Sequence, residues 1–439
     1  MDNIFAKIKR ALKFFRWTFI GSVTAHLIRL TISSRYRKNH SVVSPSLMYH
    51  DKTSYFITKN IIWLLRPLAW YFKKKNIFIS VNNISNAVGH VFPEIDYLYR
   101  MRVIEERFKN SKILYIYPKS LVLCGVQNIF TSKQVKVITS GVLNLFLYPL
   151  ALRYPEICID SSQGGINHQL PFDNSKPSPL PHKEVFRNRQ VKYAKVRAKS
   201  STYYPLRKKM ELTKELYDFI GSTKYVVLQI KDIRVNGTFN PVNPETYEPT
   251  IEYLLEQNFG VILGGREIMP NCFHKLGVRN YSEQNFADTR NDYLLVVNSS
   301  YTISSASGFT FIPDCLDVPV LSINNWQING YPGRRTIQIP ALMNINDKKI
   351  LFKDQMEEFY RLGQISPSTK TPKGWVIDDA TGDDILDGFL ELVSINQVES
   401  VLDMNPDQKR FNALFPFDLP HFGQSRISAK FLEKHKERF

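Results

Sequence analysis

The stretch NIFISVNNISNAVGHVFPEIDYLYRMRVIEERFKNSKILYIY (Asn76–Tyr117) decides the fold. It opens on a short apolar run, Asn76–Val81, and closes on another, Lys112–Tyr117. Between them lies a helical pattern from Phe92 to Phe108. A strand that reads as an unbroken apolar run is buried on both faces, which is the mark of a parallel sheet covered by helices. Val135–Thr139 (VKVIT) continues the series as a third strand. The first strand runs into Ser85-Asn86-Ala87-Val88-Gly89-His90, small residues that open the helix.

The same grammar returns downstream. Tyr225–Ile230 (YVVLQI) is a strand, Pro244–Asn258 a helix stopped by Gly260, and Gly260–Leu263 the next strand. Asn291–Asn298 reads as a helix, Tyr301–Ser304 as a strand, and Val318–Ile323 as another after a Ser/Gly turn. Two series of alternating strands and helices predict an α/β chain of two Rossmann-like domains facing across a cleft. The expected boundaries are 1–75 for a basic helical extension, 76–215 for a first domain ending in a Pro/Ser/Asn-rich basic linker, and 216–439 for a second domain with a C-terminal helix.

The net charge of +18 is concentrated. Residues 1–75 hold fifteen Lys/Arg against Asp2 and Asp51, and Lys183–Lys209 holds ten against Glu184. Such clustering implies an anionic partner: a membrane, a nucleic acid or a phosphorylated ligand. Within residues 3–20, Ile4, Phe5, Ile8, Ala11, Leu12, Phe15 and Phe19 share a helical face amid Lys7, Lys9, Arg10, Lys13 and Arg16. That pattern suits a helix lying in a lipid interface; the alternative is one packed on its own domain. No run is long enough to span a bilayer; Ile61–Phe72 is interrupted by Arg66 and Pro67. Cys124, Cys158, Cys272 and Cys315 form no Cys-x-x-Cys pair and read as free thiols of a reducing compartment. The expected location is cytoplasmic, peripheral on the inner face of the cell membrane.

Several turns after strands carry possible chemistry. Gly89 and His90 stand where a helix N-terminus favours an anion, and the His90 imidazole suits a general base. Glu94, one turn on, and Asp96 are rival bases. In the second series, Ser304, Ser305, Ser307 and Gly308 form a hydroxyl-rich turn able to seat a phosphate. Lys231 and Asp232 follow a strand, with Arg234 nearby, and Arg266 follows Gly264-Gly265. Each also reads as an ordinary solvated turn. Asp288 precedes a helix and is equally its N-cap. Asp378-Asp379 and Asp383-Asp384 read as helix caps. No Asp-x-Asp triplet, Walker loop, Gly-x-Ser-x-Gly elbow or Gly-x-Gly-x-x-Gly fingerprint occurs, so neither a metal nor a cofactor is expected.

Taken together, NAVGHVFPEIDYLYR (Asn86–Arg100), VVLQIKD (Val226–Asp232), NPETYEPTIEYLLEQNFGVILGGR (Asn243–Arg266), VRNYSEQNFADTRNDYLLVVNSSYTISSASGFTFIP (Val278–Pro313), VPVLSIN (Val318–Asn324) and RISAKFLEKHKERF (Arg426–Phe439) resemble a family of bacterial glycosyltransferases. That family is similar to enzymes of the GT-B architecture, with a distant likeness to fucosyltransferases. The resemblance implies a nucleotide-sugar donor held mainly by the second domain, with no obligatory metal. It carries Lys231, Arg266, Ser305, Ser307 and Gly308 toward donor binding and Gly89-His90 toward the cleft. Relatives tend to have His-x-Arg-Asp where this chain has Gln229-Ile230-Lys231-Asp232. Lysine keeps the charge but lacks the bidentate fork of arginine.

The expected function is therefore glycosyl transfer from a nucleotide sugar to a lipid-linked or polysaccharide acceptor in surface glycan synthesis. The partners are then the donor, the acceptor and an anionic membrane, with no nucleic acid. The competing expectations are a nucleotide-sugar epimerase on the same plan, or a non-catalytic membrane- or nucleic-acid-binding protein.

Overall fold

The computed structural model describes residues 65–81, 88–117, 126–160 and 196–231 with short breaks, 242–324 except 306, 333–355, 374–397, 405–414 and 425–439. The expected interfacial helix 3–20, Asp232, Arg234, Cys124, Ser85–Ala87 and the linker up to residue 195 lie outside the described residues. Residues 65–439 form one compact unit.

The first series builds a four-stranded parallel sheet in the order β3-β2-β1-β4. Its strands are β1 (Ile77–Val81), β2 (Lys112–Tyr117), β3 (Val135–Thr139) and β4 (Cys158–Asp160). Helix α1 (65–74) leads into β1, and α2 (Val88–Ile104) connects β1 to β2. Every residue of β1 is buried, as a covered parallel strand requires. Helix α2 starts at Val88, earlier than the sequence suggested, and holds Pro93 in its second turn. A proline near the start of a helix loses little, since only the Gly89 carbonyl forfeits its intrahelical donor.

The second series builds a seven-stranded parallel sheet, β14-β10-β9-β8-β5-β6-β7. Its core strands are β5 (Tyr225–Gln229), β6 (Gly260–Leu263), β7 (Arg279–Asn280), β8 (Tyr301–Ser305) and β9 (Val320–Ile323). Beyond them lie β10 (Thr336–Ile339) and, at the edge, β14 (Arg426–Ile427). Three short antiparallel strands, β11 (Leu342–Ile345), β12 (Lys348–Lys349) and β13 (Trp375–Asp378), form a separate ribbon. In both parallel sheets the second and third strands run to one side of the first, and the fourth lies on the other. The chain is thus α/β with two Rossmann-like halves. Their topological switch points fall between β1 and β4 and between β5 and β8, where ligands of open α/β sheets collect outside the carboxyl ends.

Alternate residues of β5 serve two cores. Val226 and Leu228 join one apolar cluster, whereas Tyr225 and Val227 join another that also contains Phe78, Phe92 and Phe130 of the first half. The halves therefore share a continuous core on one side. The ring of Phe130 meets that of Tyr293 edge-on at 5.8 Å. In chain order α3 (Val126–Phe130), α4 (Lys214–Ile220), α5 (Glu248–Glu256) and α6 (Asn271–Lys275) precede α7 (Thr289–Val297), which holds Tyr293, and α2 packs against α8 (Phe311–Cys315).

A buried polar network lies in the same seam. Asp96 Oδ2 accepts from Arg100 Nε at 2.7 Å and from Arg197 at 3.2 Å. The other guanidinium nitrogen of Arg197 donates to the Asp314 backbone carbonyl at 3.1 Å and lies 3.4 Å from its carboxylate. Arg100 also donates to the carbonyl and hydroxyl of Ser200. The Tyr204 ring lies 5.4 Å from the Arg100 guanidinium and 5.5 Å from that of Arg197. Burial raises the Asp314 carboxyl above its ordinary range, and the Arg197 charge opposes this.

Two sequence expectations are corrected by this seam. Asp96 is fully buried and ion-paired to two arginines, so it holds the halves together rather than taking a proton from a substrate. The basic stretch Lys183–Lys209 does not serve only an anionic partner. Arg197 is part of the seam, Arg207 pairs with Asp317 at 3.0 Å, and the Lys208 amine donates to the Ile129 carbonyl.

Candidate functional site

At the second switch point the ends of β5 and β8 are tied together by side chains. Gln229, the last residue of β5, is buried, and its Oε1 accepts from both Ser304 Oγ and Ser307 Oγ at 2.8 Å. The Thr310 hydroxyl lies 2.9 Å from that of Ser304. The Ser305 hydroxyl accepts from the Lys231 backbone N–H at 2.8 Å, and that of Ser307 from the Phe309 N–H at 3.1 Å. A strand thus passes into the 3-10 turn Gly308–Thr310 and then α8.

The serines stand where the sequence placed a ligand seat, but their hydroxyls are engaged with the protein. Their work is to shape the turn and lock it to the strand carrying Lys231. Gln229 is the keystone of this arrangement and was not among the expected site residues. Its signal was its place at the end of an apolar strand, one residue before the Ile-Lys-Asp step.

The Lys231 side chain is half-buried. Burial pushes its amine below the ordinary lysine range, and the Glu267 carboxylate pulls the other way. A desolvated amine at the carboxyl end of a central strand gains from an anion set beside it. Glu267 follows Arg266 in the loop after β6, the strand next to β5.

Arg266 stands at the same sheet edge with its fork already taken. Its two terminal nitrogens reach the two oxygens of Asp292 at 3.0 Å each, and the guanidinium lies 5.9 Å from the Tyr281 ring. Gly264 and Gly265 each have a structural reason to be glycine. A Cβ on Gly264 would stand 2.8 Å from Val227, and Gly265 has a φ of +85°. Asp288 caps α7, its side chain accepting from the Asn291 N–H at 2.8 Å. Asp384 closes a cap with Thr381 at the start of α9 (Gly382–Gln397). Asp378 and Asp379 instead accept from Asn344 and from the Asn243 N–H.

Asp292 carries a testable signature. Burial, outweighing the half-exposed Arg266, pushes its carboxyl up to about 6. The folded state then holds this proton more tightly than the unfolded chain. The resulting stabilisation is present below the ordinary carboxylate range and is lost as pH rises through about 6. Melting temperatures of the wild type minus those of Asp292→Asn should fall between about pH 4 and pH 7. Parallel curves for the two proteins would refute this assignment.

At the first switch point, Gly89 and His90 occupy the first turn of α2, directly after the segment that follows β1. Their side chains lie outside the described residues. Glu94 is buried one turn further, where its carboxylate accepts from the Tyr115 hydroxyl at 2.9 Å. The structure thus brings Lys231, Ser304, Ser305, Ser307, Gly308 and Arg266 to one edge of the second sheet. It sets Gly89, His90 and Glu94 at the start of α2 in the first half. No group of three or more His, Cys, Asp or Glu able to hold a metal occurs among the described residues. No helix among them is long and apolar enough to cross a membrane.

No family model and no curated relative matches the chain. Among solved structures it is similar to the iron-containing dodecameric glycosyltransferase TibC from enterotoxigenic E. coli, at 12% identity and a TM-score of 0.43, covering 73% of this chain and 77% of that one. It is similar to E. coli ADP-heptose LPS heptosyltransferase II, at 10% identity and a TM-score of 0.39, covering 74% and 100%. It is also similar to a Listeria monocytogenes protein assigned as a UDP-N-acetylglucosamine 2-epimerase, at 10% identity and a TM-score of 0.32, covering 75% and 99%. At such distances the reaction has to be read from the site itself.

Proposed function

We propose that this chain is a metal-independent glycosyltransferase of the GT-B plan, with a nucleotide-sugar donor in the second half (216–439) and an acceptor met by the first (76–215). The single observation that carries the reading is Lys231. Its desolvated amine stands at the switch point of the second sheet, on a strand end locked to the Ser305–Ser307 turn. That edge is where a doubly wound sheet binds a nucleotide, and a diphosphate adds negative charge beside a half-buried amine that only Glu267 is seen to oppose.

The acceptor hydroxyl attacks the anomeric carbon as the bond to the diphosphate oxygen breaks. Negative charge grows on the leaving diphosphate, where Lys231 stabilises it. The acceptor proton goes to His90 in the first turn of α2; Glu94, buried against Tyr115, is the alternative base. Arg266 and Asp288 border the donor edge, Arg266 held by Asp292 and Asp288 capping α7. Gly89 faces the cleft as part of the donor site, and Asp232 belongs to the donor loop. The acceptor is a lipid-linked or polysaccharide glycan at the inner face of a bacterial membrane, to which the basic N-terminal region attaches the enzyme. The kinship with fucosyltransferases belongs to the same proposal.

A panel of nucleotide sugars tests the donor reading by thermal stabilisation. A true donor at one hundred times its dissociation constant stabilises by about 2.7 kcal/mol and raises the melting temperature by several degrees. A panel in which none shifts the transition would reject the reading. Release of a free sugar from the best binder, without any acceptor, would point to an epimerase-like enzyme.

A further inference from the structure

Helix α1 has two unlike faces. Leu65, Ala69 and Phe72 are buried. Trp70 points outward and is 62% exposed. Arg66, Lys73 and Lys74 are exposed on the same short helix, and Lys75 is exposed in the turn after it. The Lys74 amine lies 4.8 Å from the Trp70 ring. No Asp or Glu occurs between Asp51 and Glu94, and among the described residues none of these four cations pairs with a carboxylate. An exposed indole on a helix whose neighbouring cations meet no described carboxylate is costly for a surface with nothing to touch.

We propose that this face of α1 is a docking surface for an anionic phospholipid bilayer, with Trp70 entering the headgroup boundary and Arg66, Lys73, Lys74 and Lys75 meeting lipid phosphates. Three observations carry it: the charge complementarity, the amphipathic indole at its centre, and the position of α1 directly after a basic stretch of the chain. Residues 1–64 contain eleven Lys/Arg and only Asp2 and Asp51 as acids. Trp and Lys/Arg together are the residues that settle at a lipid–water interface. The proposal deepens the peripheral-membrane part of the function above. It adds that the folded body itself touches lipid, rather than hanging from its N-terminal stretch.

The test is sedimentation of the full chain with vesicles of phosphatidylcholine alone or with phosphatidylglycerol added. Trp70→Ser removes an exposed ring and leaves the buried face of α1 untouched; its melting curve checks the fold. Its partition onto anionic vesicles should fall about tenfold, from the apolar area the indole no longer removes from water. Changing Lys73, Lys74 and Lys75 to Gln should cost about fivefold each at low salt. A chain lacking residues 1–20 should keep a fraction bound to anionic vesicles that Trp70→Ser then abolishes. If the wild type binds anionic vesicles and Trp70→Ser binds equally well, the α1 surface is refuted and the peripheral reading stands. If the wild type ignores anionic vesicles, both fail. Salt-sensitive binding to duplex DNA in place of vesicles, unchanged in Trp70→Ser, would also overturn the proposal.

Discussion

Arg197→Ala is expected to destabilise the protein by about 3–5 kcal/mol, the cost of leaving buried charge without its partner. The melting temperature should fall on the order of 10 °C for a body of this size. Asp96 would keep Arg100, but Asp314 would lose its only ion-pair partner among the described residues, in a site where burial already opposes its charge. Asp314→Asn in the Arg197→Ala background should therefore recover part of the loss, since a neutral amide needs no cation. The double-mutant cycle measured by denaturant unfolding separates the pair from its surroundings. Losses that simply add would mean that Arg197 and Asp314 are not coupled across the seam.

His90→Ala should lower turnover by roughly 10²–10⁴-fold, with donor affinity kept. The position of His90 sets this split. It opens α2 at the switch point of the first sheet, whereas Lys231 stands in the second. A base that acts on the acceptor proton works in the transition state, so its loss falls on turnover. Donor affinity, turnover at saturation and melting temperature are measured on one preparation. A fall in donor affinity with turnover unchanged would move His90 to the phosphates. Activity per folded molecule near the wild-type value would hand the base role to Glu94.

Much of the sheet architecture was legible in the sequence. The strands Lys112–Tyr117, Val135–Thr139 and Gly260–Leu263 lie where their apolar runs placed them. The runs of β2 and β6 are visible because a strand covered on both faces is apolar nearly throughout, whereas the edge strand β3 alternates, with Lys136 and Thr139 half-buried. Helix α2 begins at Val88 where the sequence suggests Phe92: Gly89 and His90 read as a turn but already form its first turn. Short strands such as Cys158–Asp160, Arg279–Asn280 and Arg426–Ile427 passed unseen, since two or three residues carry no period.

The site was legible in its turns and not in its pairings. Ser304, Ser307 and Lys231 announced a strand-end cluster, but nothing local tells that Gln229 binds two serines more than seventy residues on. The same holds for Arg266 with Asp292, and for Arg197 with Asp96 and Asp314. Charge in a sequence shows where cations are, not whether a distant carboxylate has claimed them. Residues of the Lys183–Lys209 stretch looked free for an anionic ligand until their partners were brought beside them by folding.

The central claim, that the carboxyl ends of β5 and β8 grip the diphosphate of a nucleotide sugar through Lys231, is met most directly by calorimetric titration. The nucleotide sugar that best stabilises the wild type is titrated into the wild type and into Lys231→Met, which keeps the length of the side chain without its charge. Loss of a charged contact to a phosphate should weaken binding about 10–100-fold, with the melting temperature of the unliganded protein unchanged or raised, since a buried amine is removed. Equal affinities in the two proteins, with both folded, would contradict the claim and place the donor elsewhere.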